Sequence, residues 1–213
     1  MAMPDLAAAP SLAAAVRWAA AGPLLLSSLA VMGSPGPATI SLTAAGSAYG
    51  LRRSARYLVG VTAGTTIVLL AVASGVTVTL LAVPGLRAVL IVASAAYILW
   101  LAYRIATAPP LPAQQAAAQA PSFTGGLFLG VANPKAWVAI AAVFASSRLA
   151  STAVTDATAK VALLTAMIVL IMISWLTAGA TLAPLLRHPV RSRVINAALA
   201  AGLIGATALA IIH

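Results

Sequence analysis

Between Ala19 and Ile212 the chain runs through six apolar stretches, at 19 to 47, 57 to 82, 86 to 106, 122 to 147, 159 to 183 and 193 to 212. Each is long enough to cross the hydrocarbon core of a bilayer as a helix. This alternation of long apolar runs with short charged joints constrains the fold more than any other feature. In lipid every backbone amide and carbonyl needs an internal partner, so the runs must be helices. Charged residues make up only 7% of the 213, against about 25% in a soluble domain. The expected fold is an all-α integral membrane protein of six transmembrane helices, in one membrane domain covering 1–213.

The formal net charge of +10 does not indicate nucleic acid as a partner. That role needs basic residues gathered on one wettable face, and here they stand at span ends. Arg52, Arg53, Arg56, Arg104, Arg187, Arg191 and Arg193 lie on one side of the predicted topology. Arg17, Arg87, Arg148 and Lys160 lie on the other, with Asp5 and Asp156. Seven against four places loops 1, 3 and 5 in the cytoplasm and both termini on the periplasmic or extracellular face. With no cysteine, and with histidine only at His188 and His213, disulfides, thiolate metal sites and cysteine catalysis drop out. No metal or other cofactor is expected.

The segment 107 to 121 carries Pro109, Pro110, Pro112 and Pro121 and three glutamines, which exclude a lipid-buried helix. It divides the chain into half 1 (19–106) and half 2 (122–212), joined by the linker 107–121. The first 11 residues are expected to be a disordered lead. Gly33-Ser-Pro-Gly-Pro is a poor signal-cleavage site, and the apolar run continues past it.

Two motifs interrupt this pattern. Gly33-Ser34-Pro35-Gly36-Pro37 falls in the middle of span 1. Each proline lacks an amide hydrogen and collides with the carbonyl four residues back, so the carbonyls of Val31 and Gly33 lose their helical partners. Gly130-Val-Ala-Asn133-Pro134-Lys135 interrupts span 4 and sets an ammonium inside an apolar stretch, which costs at least about 2.5 to 3.5 kcal/mol. Each break lies in the first span of its half. Three spans per half make the halves enter the membrane in opposite directions, so an inverted repeat with Pro-broken first and fourth helices is expected, with substrate held near the midplane.

The new half-helices present the amides of Ala38, Thr39 and Ile40, and of Ala136 and Trp137 beside Lys135, to an anion. The carbonyls ending near Met32 and Val131 suit a cation. A zwitterion answers both. The candidate substrate-binding residues are therefore Pro35, Gly36, Pro37, Thr39, Asn133, Pro134 and Lys135, with Ser34, Thr62 and Thr65 as path-lining candidates. Gly46/Gly50, Gly60/Gly64 and Gly126/Gly130 read as close helix packing. A Ser34–Lys135 catalytic pair can be imagined, but nothing in the sequence places the two within hydrogen-bonding distance, and no enzyme is expected.

Gly33-Ser-Pro35-Gly36-Pro37, Tyr49-Gly50-Leu-Arg52-Arg53-Ser with Gly60 and Gly64, Ala95-Ala96-Tyr97-Ile-Leu-Trp100-Leu-Ala-Tyr103-Arg104, and Phe123-Thr-Gly125-Gly126 followed by Gly130-Val-Ala-Asn133-Pro134-Lys135-Ala136-Trp137 together resemble the LysE/RhtB family of amino-acid exporters, over residues 20 to 147. The resemblance implies a multi-pass secondary transporter of the bacterial inner (plasma) membrane that exports amino acids or related small metabolites. Its partners are then an amino-acid substrate and the lipid bilayer; homodimerisation is left open. With no membrane carboxylate to pair a basic side chain, a neutral substrate is expected. The alternatives are export of another small solute or a metal cation, or a non-transporting membrane subunit.

Overall fold

The computed structural model describes residues 16–75, 121–181 and 189–212, with isolated positions between 85 and 107. The lead 1–11, most of predicted span 3 and most of the linker lie outside the described residues. Among the described residues, a 3-10 turn at Trp18–Ala20 is followed by the continuous α-helices α1 (Ala21–Met32), α2 (Pro37–Ala73), α3 (Phe123–Ala132), α4 (Pro134–Ser146), α5 (Ala153–Thr181) and α6 (Pro189–Ile212). No strand occurs among the described residues. Helices α2 and α5 are long and apolar enough to cross a membrane, and α3 with α4, bent by 57°, form up to one more such span.

Helix α2 does not run straight. Its 37 residues would extend about 55 Å, well beyond a hydrocarbon core of about 30 Å. At Gly50 the backbone adopts φ 75° and ψ 172°, a region open essentially to glycine alone. The Ser54 hydroxyl then donates to the Ala45 carbonyl at 2.9 Å, nine residues back, where a straight helix would hold these residues about 13 Å apart along its axis. The chain folds back here, giving limbs at 37–49 and 51–73. Gly50 is therefore a turn residue rather than a packing residue, with no atom within 4 Å of where its Cβ would stand.

The other paired glycines do carry close packing. A Cβ on Gly60 or Gly64 would overlap the Phe123 or Leu127 carbonyl, and one on Gly126 or Gly130 would meet the Tyr57 or Val61 carbonyl at 2.5 and 2.6 Å. Backbone thus meets backbone where α2 crosses α3, the approach that small residues permit in membranes. Gly46 and Gly179 repeat the arrangement between α2 and α5, against Leu176 and Thr43. Leu24, Leu42, Val61, Leu129, Ile140, Leu164 and Ile168 fill the interior, while Leu26, Val59, Ile67, Leu70, Leu170 and Ile173 stay exposed. For a chain inserted in a bilayer, that outer apolar surface faces acyl chains.

Helix α5 begins at Ala153, not at 159. The Thr152 hydroxyl accepts the Thr155 amide at 3.2 Å, and Asp156 and Lys160, one turn apart, pair at 2.8 Å, so these polar residues belong to the helix. Helix α6 begins at Pro189 rather than 193, consistent with the fixed φ that suits proline to a first helical position.

Candidate functional site

The junction between α1 and α2 and the junction between α3 and α4 meet. Helix α1 stops at Met32 and α2 starts with Pro37 at its first turn. The intervening Gly36 amide donates to Thr39 Oγ1 at 2.8 Å, and that hydroxyl donates back to the Gly36 carbonyl at 3.1 Å. At the second break Asn133 is in extended conformation and its Oδ1 accepts the Lys135 amide at 3.2 Å. Proline leads the following helix in each case, because the amide it lacks is one that no helical acceptor would receive there.

Lys135 joins the two. Its Nζ donates to the Ser34 carbonyl at 2.5 Å, to Ser34 Oγ at 2.7 Å and to the Pro35 carbonyl at 3.1 Å. An ammonium has three hydrogens, and three neutral oxygens take them. The chain's only carboxylates are Asp5 and Asp156, and Asp156 is paired with Lys160. Ser34 and Lys135 do lie within hydrogen-bonding distance, contrary to what the sequence could place. The serine hydroxyl, however, donates to the Val31 carbonyl at 2.8 Å and accepts from the lysine. A general base must take the nucleophile's proton, and this polarity is the reverse.

The freed carbonyls expected to await a cation are already occupied. Trp175 Nε1 donates to the Gly33 carbonyl at 3.1 Å, Ser34 takes Val31, and Trp137 Nε1 donates to the Val131 carbonyl at 2.7 Å. Two of the amides expected to be open are likewise engaged: Ile40 donates to the Gly36 carbonyl at 2.9 Å and Ala136 to the Asn133 carbonyl at 3.0 Å. Short local turns and indoles satisfy these groups because a buried backbone group without a partner is expensive. The tryptophan roles depend on tertiary approach. Only the fact that a buried indole N–H needs an acceptor could have pointed to them.

A cavity of about 30 Å³ adjoins the junction, lined among others by Met32, Gly36, Thr39, Thr65, Asn133, Lys135, Ile140, Ile168 and Met172. Thr39, Thr65 and Asn133 are buried. Of the remaining candidates, Ser34 and Pro35 reach this cavity through Lys135, and Pro37 and Pro134 start the helices beside it without lining it. Thr62 is not in the lining, and its carbonyl accepts the Thr66 hydroxyl. Thr65 donates to the Val61 carbonyl at 2.9 Å, so its hydroxyl is bound to its own helix.

One polar cluster escaped the sequence reading, which treated Asp156 and Lys160 as loop charges. Lys160 is buried, pairs with Asp156, donates to the Phe144 carbonyl at 2.8 Å and stands 4.9 Å from the Phe144 ring centre. Asp156 also accepts the amides of Leu149 and Ala150 at 2.5 and 3.3 Å. The cluster fastens the α4–α5 connection, and the i,i+4 spacing of opposite charges was the signal for it.

Membrane-length apolar helices packed through glycine backbones, with two helix interruptions sharing one half-buried ammonium, define a multi-pass membrane protein. The chain belongs to the LysE type translocator family, whose model matches residues 29–213. It is similar to the cysteine/O-acetylserine efflux protein of Salmonella typhimurium (strain LT2), 38% identical over 76 residues, and to that of Escherichia coli (strain K12), 37% identical over 76 residues. In both cases the match covers 36% of this chain and 39% of the relative's length. No solved structure matches the chain.

Proposed function

We propose that the chain exports a small neutral amino acid across the bacterial inner membrane by alternating access, with Lys135 receiving the substrate carboxylate. The observation that carries this is the Lys135 ammonium, held by neutral oxygens of the opposite break at the rim of a cavity. A zwitterion exchanges these bonds one for one. Its carboxylate takes the Lys135 ammonium, aided by the positive ends of the Pro37 and Pro134 helices. Its own ammonium replaces Lys135 at the carbonyls of Ser34 and Pro35. Cysteine and O-acetylserine, which name the relatives, are zwitterions of this kind.

The present cavity of about 30 Å³ has room for a water or two, far below the roughly 300 Å³ at which ligand pockets begin. Entry therefore requires α1 and α4 to part, and release of the Lys135 bonds is the event that frees them. Six spans in two inverted three-helix halves fit this motion. Under such a repeat span 1 exchanges with span 4 and span 2 with span 5. The glycine-backed crossings 46/179 and 60, 64/126, 130 are then equivalent contacts. Cytoplasmic loops 1, 3 and 5, with both termini outside, complete the topology.

The test is efflux of radiolabelled cysteine or O-acetylserine from loaded proteoliposomes. Lys135→Met should reduce efflux to the rate of protein-free vesicles, while helicity by circular dichroism stays at the wild-type value. Efflux by the variant equal to the wild type would remove the site.

A further inference from the structure

The cavity beside Lys135 has unlike walls. Its polar side chains come from the two breaks, Thr39 from the first and Asn133 and Lys135 from the second, and from Thr65. The hydroxyl hydrogens of Thr39 and Thr65 are already given to the carbonyls of Gly36 and Val61. Helix α5 contributes Ile168, Ile171 and Met172, whose i, i+3 and i+4 spacing puts them on one face. All three are buried, and among the described residues no polar side chain of α5 joins them in the lining. The wall is also anchored. Thr43 Oγ1 donates to the Trp175 carbonyl at 3.2 Å, and Gly46 and Gly179 bring the backbones of α2 and α5 together, so α5 rests on the first limb of α2 and not on the breaks.

We propose that Ile168, Ile171 and Met172 form the side-chain subsite of the transported amino acid, selecting a slender side chain with no strong hydrogen-bond donor. The inference rests on Lys135 taking the substrate carboxylate, as described above. With the carboxylate and ammonium exchanged at the breaks, the side chain is left to the α5 wall. Hydrocarbon and a thioether favour a thiol, which behaves as a small hydrophobe, over a hydroxyl, which loses its water there and gains no side-chain partner. The branched isoleucines are stiff at χ1 and set the width, while Met172 is the adaptable member. The expected order of export is cysteine ahead of serine and of phenylalanine.

The test is efflux from proteoliposomes loaded with labelled cysteine, serine or phenylalanine, read as ratios of rates within each variant, so that a general loss of folded protein cancels. The wild type should export cysteine about tenfold faster than serine, or more. Met172→Gln, close in shape but carrying an amide, should bring that ratio towards one. Ile168→Ala should raise phenylalanine relative to cysteine about tenfold. Ile168→Val, which removes one methylene, should shift the same ratio about fourfold and serves if the alanine variant does not fold. Ile173→Ala, on the exposed side of α5, should keep both wild-type ratios. Unchanged ratios in Met172→Gln and Ile168→Val, with export still abolished by Lys135→Met, would overturn the subsite and leave the Lys135 reading standing. Equal export by Lys135→Met and the wild type would overturn both. A shift in Ile173→Ala as large as that in Ile168→Val would reduce the effect to a loosened α5 and overturn the subsite as well.

Discussion

A Cβ built on Gly36 would stand 2.6 Å from Lys135 Cδ and 3.0 Å from its Nζ. The lysine stem lies directly against the backbone of the first break, and only the lack of a side chain at 36 lets the ammonium reach Ser34 and Pro35.

Gly36→Ala should therefore displace Lys135 without disturbing the helices. Its φ of −168° is ordinary extended backbone, so no conformational penalty arises. Efflux should fall about tenfold or more, the loss of roughly one to two charged hydrogen bonds, while the circular dichroism spectrum is unchanged. Wild-type efflux in this variant would show that the contact is incidental.

The two indole contacts can be weighed separately. Trp137→Phe strips the Val131 carbonyl of its donor, and Trp175→Phe strips the Gly33 carbonyl. Each should destabilise the protein by about 1–3 kcal/mol, read by unfolding in mixed detergent. Since Lys135 ties the two breaks together, the double variant should depart from the sum of the singles.

Glycine substitutions should divide sharply. Gly60→Leu and Gly130→Leu drive side chains into facing backbone that cannot yield, and should abolish monodisperse elution in mild detergent. Gly22→Ala, with nothing within 4 Å, should elute and melt as the wild type does.

Breaking the buried pair from either side should be unequal. Asp156→Asn leaves the Lys160 ammonium buried with the Phe144 carbonyl and ring, at a cost of about 3–5 kcal/mol. Lys160→Met leaves Asp156 still holding the amides of Leu149 and Ala150, and should cost less. Chemical denaturation of both variants and of the double would rank them, and a larger loss for Lys160→Met would contradict the account.

What could be read from the chain beforehand was what proline and charge dictate locally. Pro35, Pro37 and Pro134 lack amide hydrogens whatever their surroundings, and an ammonium at 135 is costly in lipid, so the interruptions and their polar neighbours Thr39 and Asn133 stood out. Which donor would quiet each carbonyl did not, because Trp175 lies 142 residues from Gly33 and its approach depends on how α5 packs. Gly50 shows a different limit. Its spacing from Gly46 matched a packing pair, but spacing does not reveal the sign of φ. Asp156 and Lys160 stand at i,i+4 spacing, and counting them with the charges that flank a span places the start of α5 too late.

The two interruptions are sealed by unlike means. Trp137 closes the second from the helix that immediately follows it, so that seal is local to the junction. Trp175 closes the first from a different helix, so the Gly33 carbonyl keeps its donor only while α5 holds its place beside α1.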